Sequence, residues 1–168
     1  MTRWLTDEEQ AAWVRLAAVV ERLPGLLETQ LNKDADLTHF EYWVLAMLSD
    51  APRGTLRMTE LAARTSATLP RLSHVVQRLE QRGLLERIPC PQDGRATNAR
   101  LTPAGRRKLV AAAPGHVKEV RELVIDALSP EQVRQLTEIL SAILPRLGTN
   151  ALDAVERISP SAVAAVPR

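Results

Sequence analysis

Between Thr68 and Pro103 the sequence changes its hydrophobic period and then changes it back, which leaves few folds open. Thr68 has the side chain of a helix N-cap, and Leu69 and Pro70 follow in a first turn where a missing N–H costs little. At 100° per residue, Leu72, Val75, Val76 and Leu79 fall on one apolar stripe. Gly83 supplies a glycine stop. Period two then takes over. Leu84-Leu85-Glu86-Arg87-Ile88 and Thr97-Asn98-Ala99-Arg100-Leu101 read as the arms of a β-hairpin, joined by a long tip of turn formers from Pro89 to Ala96. Thr102-Pro103 restarts a helix by the same cap-then-proline rule.

The flanking segments are helical, with clear start signals. Thr6 with Glu9, Thr38 with Glu41, and Ser129 with Gln132 have the spacing of capping boxes. The first helix, 6–31, carries Trp13, Leu16, Val20, Leu23 and Leu27 at spacings of three or four, and Pro24-Gly25 is expected to kink or divide it. A second helix, 38–49, is apolar nearly all round and therefore central. A turn from Asp50 to Gly54 leads to a short helix, 59–64. A long helix from Pro103 to about Leu128 is expected to bend at Pro114-Gly115, and a last amphipathic helix covers 130–145. Residues 146–168 are expected to be a mobile tail. The order implies a mainly α fold with a small β-hairpin wing. It is a winged helix-turn-helix lobe, about 38–101, within a single domain of residues 1–145.

Charge becomes informative once it is mapped onto this order. Residues 57–108 hold eleven Arg/Lys and four Asp/Glu, a net of +7, while the remainder holds eleven against sixteen, a net of −5. A basic middle in an acidic frame is the footprint of a fold that turns one part toward a polyanion. The single cysteine, Cys90, excludes an intrachain disulfide, and no Cys/His cluster has metal-ligand spacing, so no metal and no cofactor are expected. No Ser-His-Asp order, carboxylate pair or glycine-rich phosphate loop appears, which argues against an enzyme. No apolar run spans a membrane, and the amino-terminal stretch turns acidic at Asp7 without an apolar signal segment. The expectation is a cytoplasmic protein.

Opposite the apolar stripe of the helix after Thr68 lie Pro70, His74, Gln77 and Gln81, flanked by Ser73 and Arg71. Short polar, amide and imidazole groups with few acids suit a helix in a major groove, where arginine pairs with guanine and glutamine with adenine. Arg71 is the first candidate for base readout, followed by Gln77 and His74. Thr68 and Ser73 are candidates for phosphate contact. At the hairpin tip, Asp93-Gly94-Arg95 sets an acid two residues before an arginine, where the carboxylate can orient the guanidinium. An arginine on a thin projecting loop can enter a narrow minor groove. The partner implied is double-stranded DNA.

Assembled in this way, residues 4–145 resemble the MarR family of bacterial transcription regulators. The likeness runs from Arg57-Met58-Thr59-Glu60-Leu61-Ala62 through Arg78-Leu79-Glu80-Gln81-Arg82-Gly83-Leu84, Cys90-Pro91-Gln92-Asp93-Gly94-Arg95 and Leu101-Thr102-Pro103-Ala104-Gly105. The resemblance implies a homodimer formed through helices 6–31, 103–128 and 130–145. It implies a palindromic site and an arginine, here Arg95, placed in the minor groove. It also implies a repressor released by a small, often aromatic, effector bound in a crevice that Trp13, His39, Tyr42 and His116 would line. For Trp13 and Tyr42, core or dimer packing is the competing role. Two alternatives stand beside this function: a ligand-independent or architectural DNA-binding regulator, and a winged-helix module for protein contact.

Overall fold

The computed structural model describes residues 1–91 and 93–148. Its elements run α1 (Asp7–Ala35), α2 (His39–Asp50), a 3-10 turn (Pro52–Gly54), β1 (Thr55–Arg57), α3 (Met58–Arg64), α4 (Leu69–Gln81), β2 (Leu85–Cys90) and β3 (Asp93–Leu101). They continue through α5 (Pro103–Leu123), a second 3-10 turn (Ile125–Ala127) and α6 (Pro130–Leu147). All three capping boxes form, at Thr6/Glu9, Thr38/Glu41 and Ser129/Gln132. Each pairs an otherwise unsatisfied first-turn N–H with a side-chain oxygen in both directions.

The core gathers around α2. Val44, Leu45, Met47 and Leu48 are fully buried, and Leu31 of α1, Leu61 of α3, Leu72, Val76 and Leu79 of α4, and Leu109 of α5 join the same cluster. The stripe read from the sequence of α4 is therefore the face that packs inward, with Leu72, Val75, Val76 and Leu79 all buried. Gly83, at φ +68°, turns the chain out of α4 in a left-handed conformation that costs glycine nothing. Gly105 answers a different need. A Cβ there would lie 1.9 Å from the Leu84 carbonyl oxygen, so α5 can approach the start of the wing only where the side chain is a hydrogen.

Several boundaries differ from the sequence expectation. Helix α1 is not divided at Pro24-Gly25 and runs on to Ala35, where Asp36 caps it at φ 47°. Helix α5 is likewise undivided at Pro114-Gly115, and it ends at Leu123 rather than near 128. Both prolines are exposed, so the carbonyl that each leaves without its helical N–H can turn to water. The hairpin is part of a three-stranded antiparallel sheet of order β1-β3-β2. Most of the expected long tip is strand, with Pro89 opposite Thr97 and Cys90 opposite Asp93 after an irregularity between Pro89 and Cys90. Because β2 is an edge strand, Pro89 can sit in it without breaking a ladder on both sides.

Helix α6 runs two residues past the expected end, to Leu147, and has no buried residue. The expected tail from 149 to 168 lies outside the described residues. Among the described residues no helix is long and apolar enough to cross a membrane.

Candidate nucleic-acid interface

Helix α4 starts on Thr68, whose side-chain oxygen accepts the Arg71 N–H at 3.4 Å. Pro70, His74, Gln77 and Gln81 are exposed on the face opposite the buried stripe, and Ser73 is half-buried at its edge. The side chains of His74 and Gln77 take no intramolecular hydrogen bond among the described residues, which leaves imidazole, amide nitrogen and amide oxygen open to an external partner.

One flank of α4 is committed to the protein itself. The Arg71 guanidinium lies over the Phe40 ring, 4.4 Å from its centroid. Arg78 forms an ion pair with Glu41 at 3.1 Å. Arg82 reaches Glu41 at 3.4 Å, the Asp36 carboxylate at 3.1 Å and the Asp36 carbonyl at 2.6 Å. Glu41 is only 4% exposed, and it also accepts the Thr38 N–H of its capping box at 2.9 Å. Burying a carboxylate this deeply is costly unless such partners replace the water it loses. Phe40 and Glu41 therefore carry the flank arginines of α4 on the first turn of α2.

The wing is tied to the lobe at two heights. Near its base, Glu80 of α4 accepts the Arg87 backbone N–H at 2.9 Å and its side chain at 2.9 and 2.7 Å. These hydrogen bonds hold the Glu80 carboxyl below the usual carboxylate range. Near the tip, Asp93 accepts the Arg95 backbone N–H at 3.1 Å and pairs with the guanidinium of Arg57. The sequence predicts that Asp93 orients the Arg95 side chain. Instead it fixes the Arg95 backbone and spends its other oxygen on Arg57, which β1 delivers beside β3. Between wing and α4 lies a cleft of about 430 Å³, lined by Arg57, Thr59, Ser73, Arg87 and Arg95 among others. Arg57 and Arg87 were not singled out from the sequence. Their signal was the charge of the 57–108 segment, which gives no direction to any one side chain.

Comparison with known proteins agrees with this architecture. The family profile described as MarR family matches residues 35–96. The regulator MhqR of Bacillus subtilis is 30% identical over 141 residues, 82% of this chain and 92% of the relative. The chain belongs to the MarR family. A MarR family transcriptional regulator of Streptomyces coelicolor, solved in complex with DNA, superposes with a TM-score of 0.85 at 44% identity, over 88% of this chain and 92% of that one. The transcriptional repressor IacR of Pseudomonas putida is 28% identical over 134 residues, 80% of this chain and 78% of its own length. Members of the MarR family are transcription regulators and not enzymes.

Of the residues that the MarR resemblance assigned to an effector crevice, three come together and one does not. The His116 ring on α5 stands 4.4 Å from Tyr42 and 5.8 Å from His39, between centroids. Tyr42 is completely buried and His116 is 2% exposed. Burial, reinforced by the neighbouring His39, lowers His116 to about 4, and burial pushes Tyr42 up to about 12. Burial also lowers His39, although Glu28, which accepts the His39 backbone N–H at 2.6 Å, opposes the shift. The Nδ1 of His116 and the Oε1 of Gln30 are buried with no hydrogen-bond partner among the described residues. Trp13 stands apart near the start of α1, 58% exposed. No group of three or more His, Cys, Asp or Glu among the described residues is placed to hold a metal ion.

Proposed function

We propose that the chain is a homodimeric transcription repressor that binds duplex DNA at a two-fold symmetric site and leaves it when a small molecule binds. The observation that carries the DNA reading is the open polar face of α4 beside a cleft edged by Arg57, Arg87 and Arg95. In this reading α4 enters the major groove, where His74, Gln77 and Arg71 meet base edges while Thr68, Pro70 and Ser73 lie against the backbone. Arg95 enters the adjoining minor groove, with Asp93 fixing the turn that presents it. The relative crystallised with DNA supports this reading.

The dimer rests on a separate observation. An apolar groove of about 610 Å³ runs between α1, the end of α5 and α6, with Leu23, Leu26, Leu123, Leu136 and Ile139 in its lining. With α6 burying nothing in the single chain and Trp13 exposed, these helices leave apolar side chains without a covering partner. A second copy across these helices would cover it and would set two α4 helices about one DNA turn apart. The sign of regulation leans on IacR, and release by an effector leans on the His39, Tyr42 and His116 cluster. The complete burial of Tyr42 favours a second reading, a regulator without a small ligand.

Selection from a random-sequence duplex pool at about 150 mM salt tests the proposal. The expected product is an inverted repeat with half-sites about 10 base pairs apart, bound by a species of twice the chain mass in sedimentation. Retention without enrichment, or a monomer at micromolar concentration, overturns it. Aromatic acids added to the retained complex then separate the effector reading from the ligand-free one.

A further inference from the structure

On the flank of α4 that faces α2, three arginines are held in two chemically different ways. Arg78 is held by an ion pair with Glu41, and Arg82 donates N–H groups to Glu41 and Asp36, so both are held through carboxylates. Arg71 is held by the face of an aromatic ring, 4.4 Å from the Phe40 centroid. A cation–π contact acts through the charge and the flat face of the guanidinium. It consumes none of the five N–H donors that project from the guanidinium edge. Among the described residues the Arg71 side chain has no hydrogen-bonded partner, so its whole fork is available. It also sits in the first turn of α4, three residues after the N-cap Thr68, at the end of the helix where the exposed polar face begins.

The platform is anchored on both sides. Phe40 is partly buried against the core cluster and lies between His39 and Glu41 in the first turn of α2. The capping box of Thr38 and Glu41 fixes that turn, and Tyr42, completely buried, follows two residues on. A free arginine on a helix surface samples many rotamers and must lose them on binding. One stacked on a fixed ring has already lost part of that freedom.

We propose that Phe40 is a positioning residue that pre-orders the Arg71 guanidinium, with its donors uncommitted, for contact with the duplex. The proposal rests on the DNA-binding reading, and the experiment separates the two. The probe is the duplex enriched by the wild-type chain. If the wild type enriches none, the reading itself has failed, and with it the assignment of Phe40. With the probe in hand, Kd is measured for wild type, Phe40→Leu, Phe40→Trp, Arg71→Ala and the double variant Phe40→Leu/Arg71→Ala. Far-ultraviolet circular dichroism and thermal melting check each fold.

Phe40→Leu is expected to weaken binding about two- to fivefold, the range of a half-exposed cation–π contact. Phe40→Trp, which keeps the aromatic face, is expected to bind like wild type. Phe40→Leu is expected to add nothing once Arg71 is alanine, an outcome that a merely structural role for Phe40 would not produce. Multiplying penalties in the double variant, or unchanged binding by Phe40→Leu, overturns the proposal. Tighter binding by Phe40→Leu also overturns it, by making the ring a restraint that keeps Arg71 off the duplex.

Discussion

The guanidinium of Arg57 pairs with the carboxylate of Asp93, joining the end of β1 to the far end of the wing across 36 residues of sequence. Both side chains are about half-exposed, so the pair adds little to stability, under about 1 kcal/mol. Its effect is on placement, because the other Asp93 oxygen holds the Arg95 N–H. Arg57→Gln is expected to weaken binding to the selected duplex about threefold, while a plot of log affinity against log salt keeps its slope. A slope shallower by about 0.9 would instead make Arg57 a phosphate contact in its own right.

Arg95 is the side chain that this turn presents. Arg95→Ala is expected to weaken duplex binding at least tenfold, about 1.4 kcal/mol. An unchanged titration curve would remove the minor-groove contact from the proposed mechanism.

Glu41 ties α2 to α4 through Arg78 and Arg82 and closes a capping box at the same time. Glu41→Ala is expected to cost about 2–3 kcal/mol, less than the roughly 3–5 kcal/mol of breaking a fully buried pair, because the arginines are partly exposed. Urea unfolding should show a lower midpoint with the same slope. A loss under about 0.5 kcal/mol would mean that solvent already serves the two arginines as well as Glu41 does.

His116 makes stability depend on pH in a stated direction. Its value of about 4 in the folded chain lies below the ordinary histidine value near 6.5. Between these limits the unfolded chain binds the proton and the folded chain does not, so stability is full above about pH 6.5 and falls as pH drops toward 4. By pH 5 the loss from this one group reaches up to about 2 kcal/mol. Replacing the ring with one that does not titrate, His116→Phe, should reduce the drop in unfolding free energy between pH 7.5 and 5 by that order. Equal drops in the two proteins would contradict the assignment.

Gly105 is a packing constraint. With a Cβ 1.9 Å from the Leu84 oxygen, Gly105→Ala forces α5 away from the wing, and a loss of about 3 kcal/mol or more is expected in thermal or urea unfolding. A neutral alanine would show that α5 can shift freely at its first turn.

What the sequence made legible was local. The stripe of Leu72, Val75, Val76 and Leu79, the three capping boxes and the stop at Gly83 all depend on residues within a turn or two of one another, and the structure has them in those roles. What it hid depends on distant pairing. Thr55–Arg57 is too short to display a strand period and becomes β1 only against β3. The turn formers from Pro89 to Ala96 look like a loop until the register sets Pro89 across from Thr97. The candidate site divides the same way. The open face of His74 and Gln77 follows from helix geometry, whereas the partners of Asp93, Arg71 and Arg78 come from elements far away in the chain.

The prolines of the wing have a consequence of their own. An edge strand with unpaired N–H and C=O groups is a template on which another chain can extend the sheet. The edges of this sheet are β1, three residues long, and β2, which carries Pro89 and is followed at once by Pro91. Pro89 has no N–H to offer a passing strand, and β1 offers too short a ladder to hold one. A thin arm built to reach out of the molecule is thereby kept from zipping onto the arm of its neighbour, so that the surface left to recognise anything is its side chains.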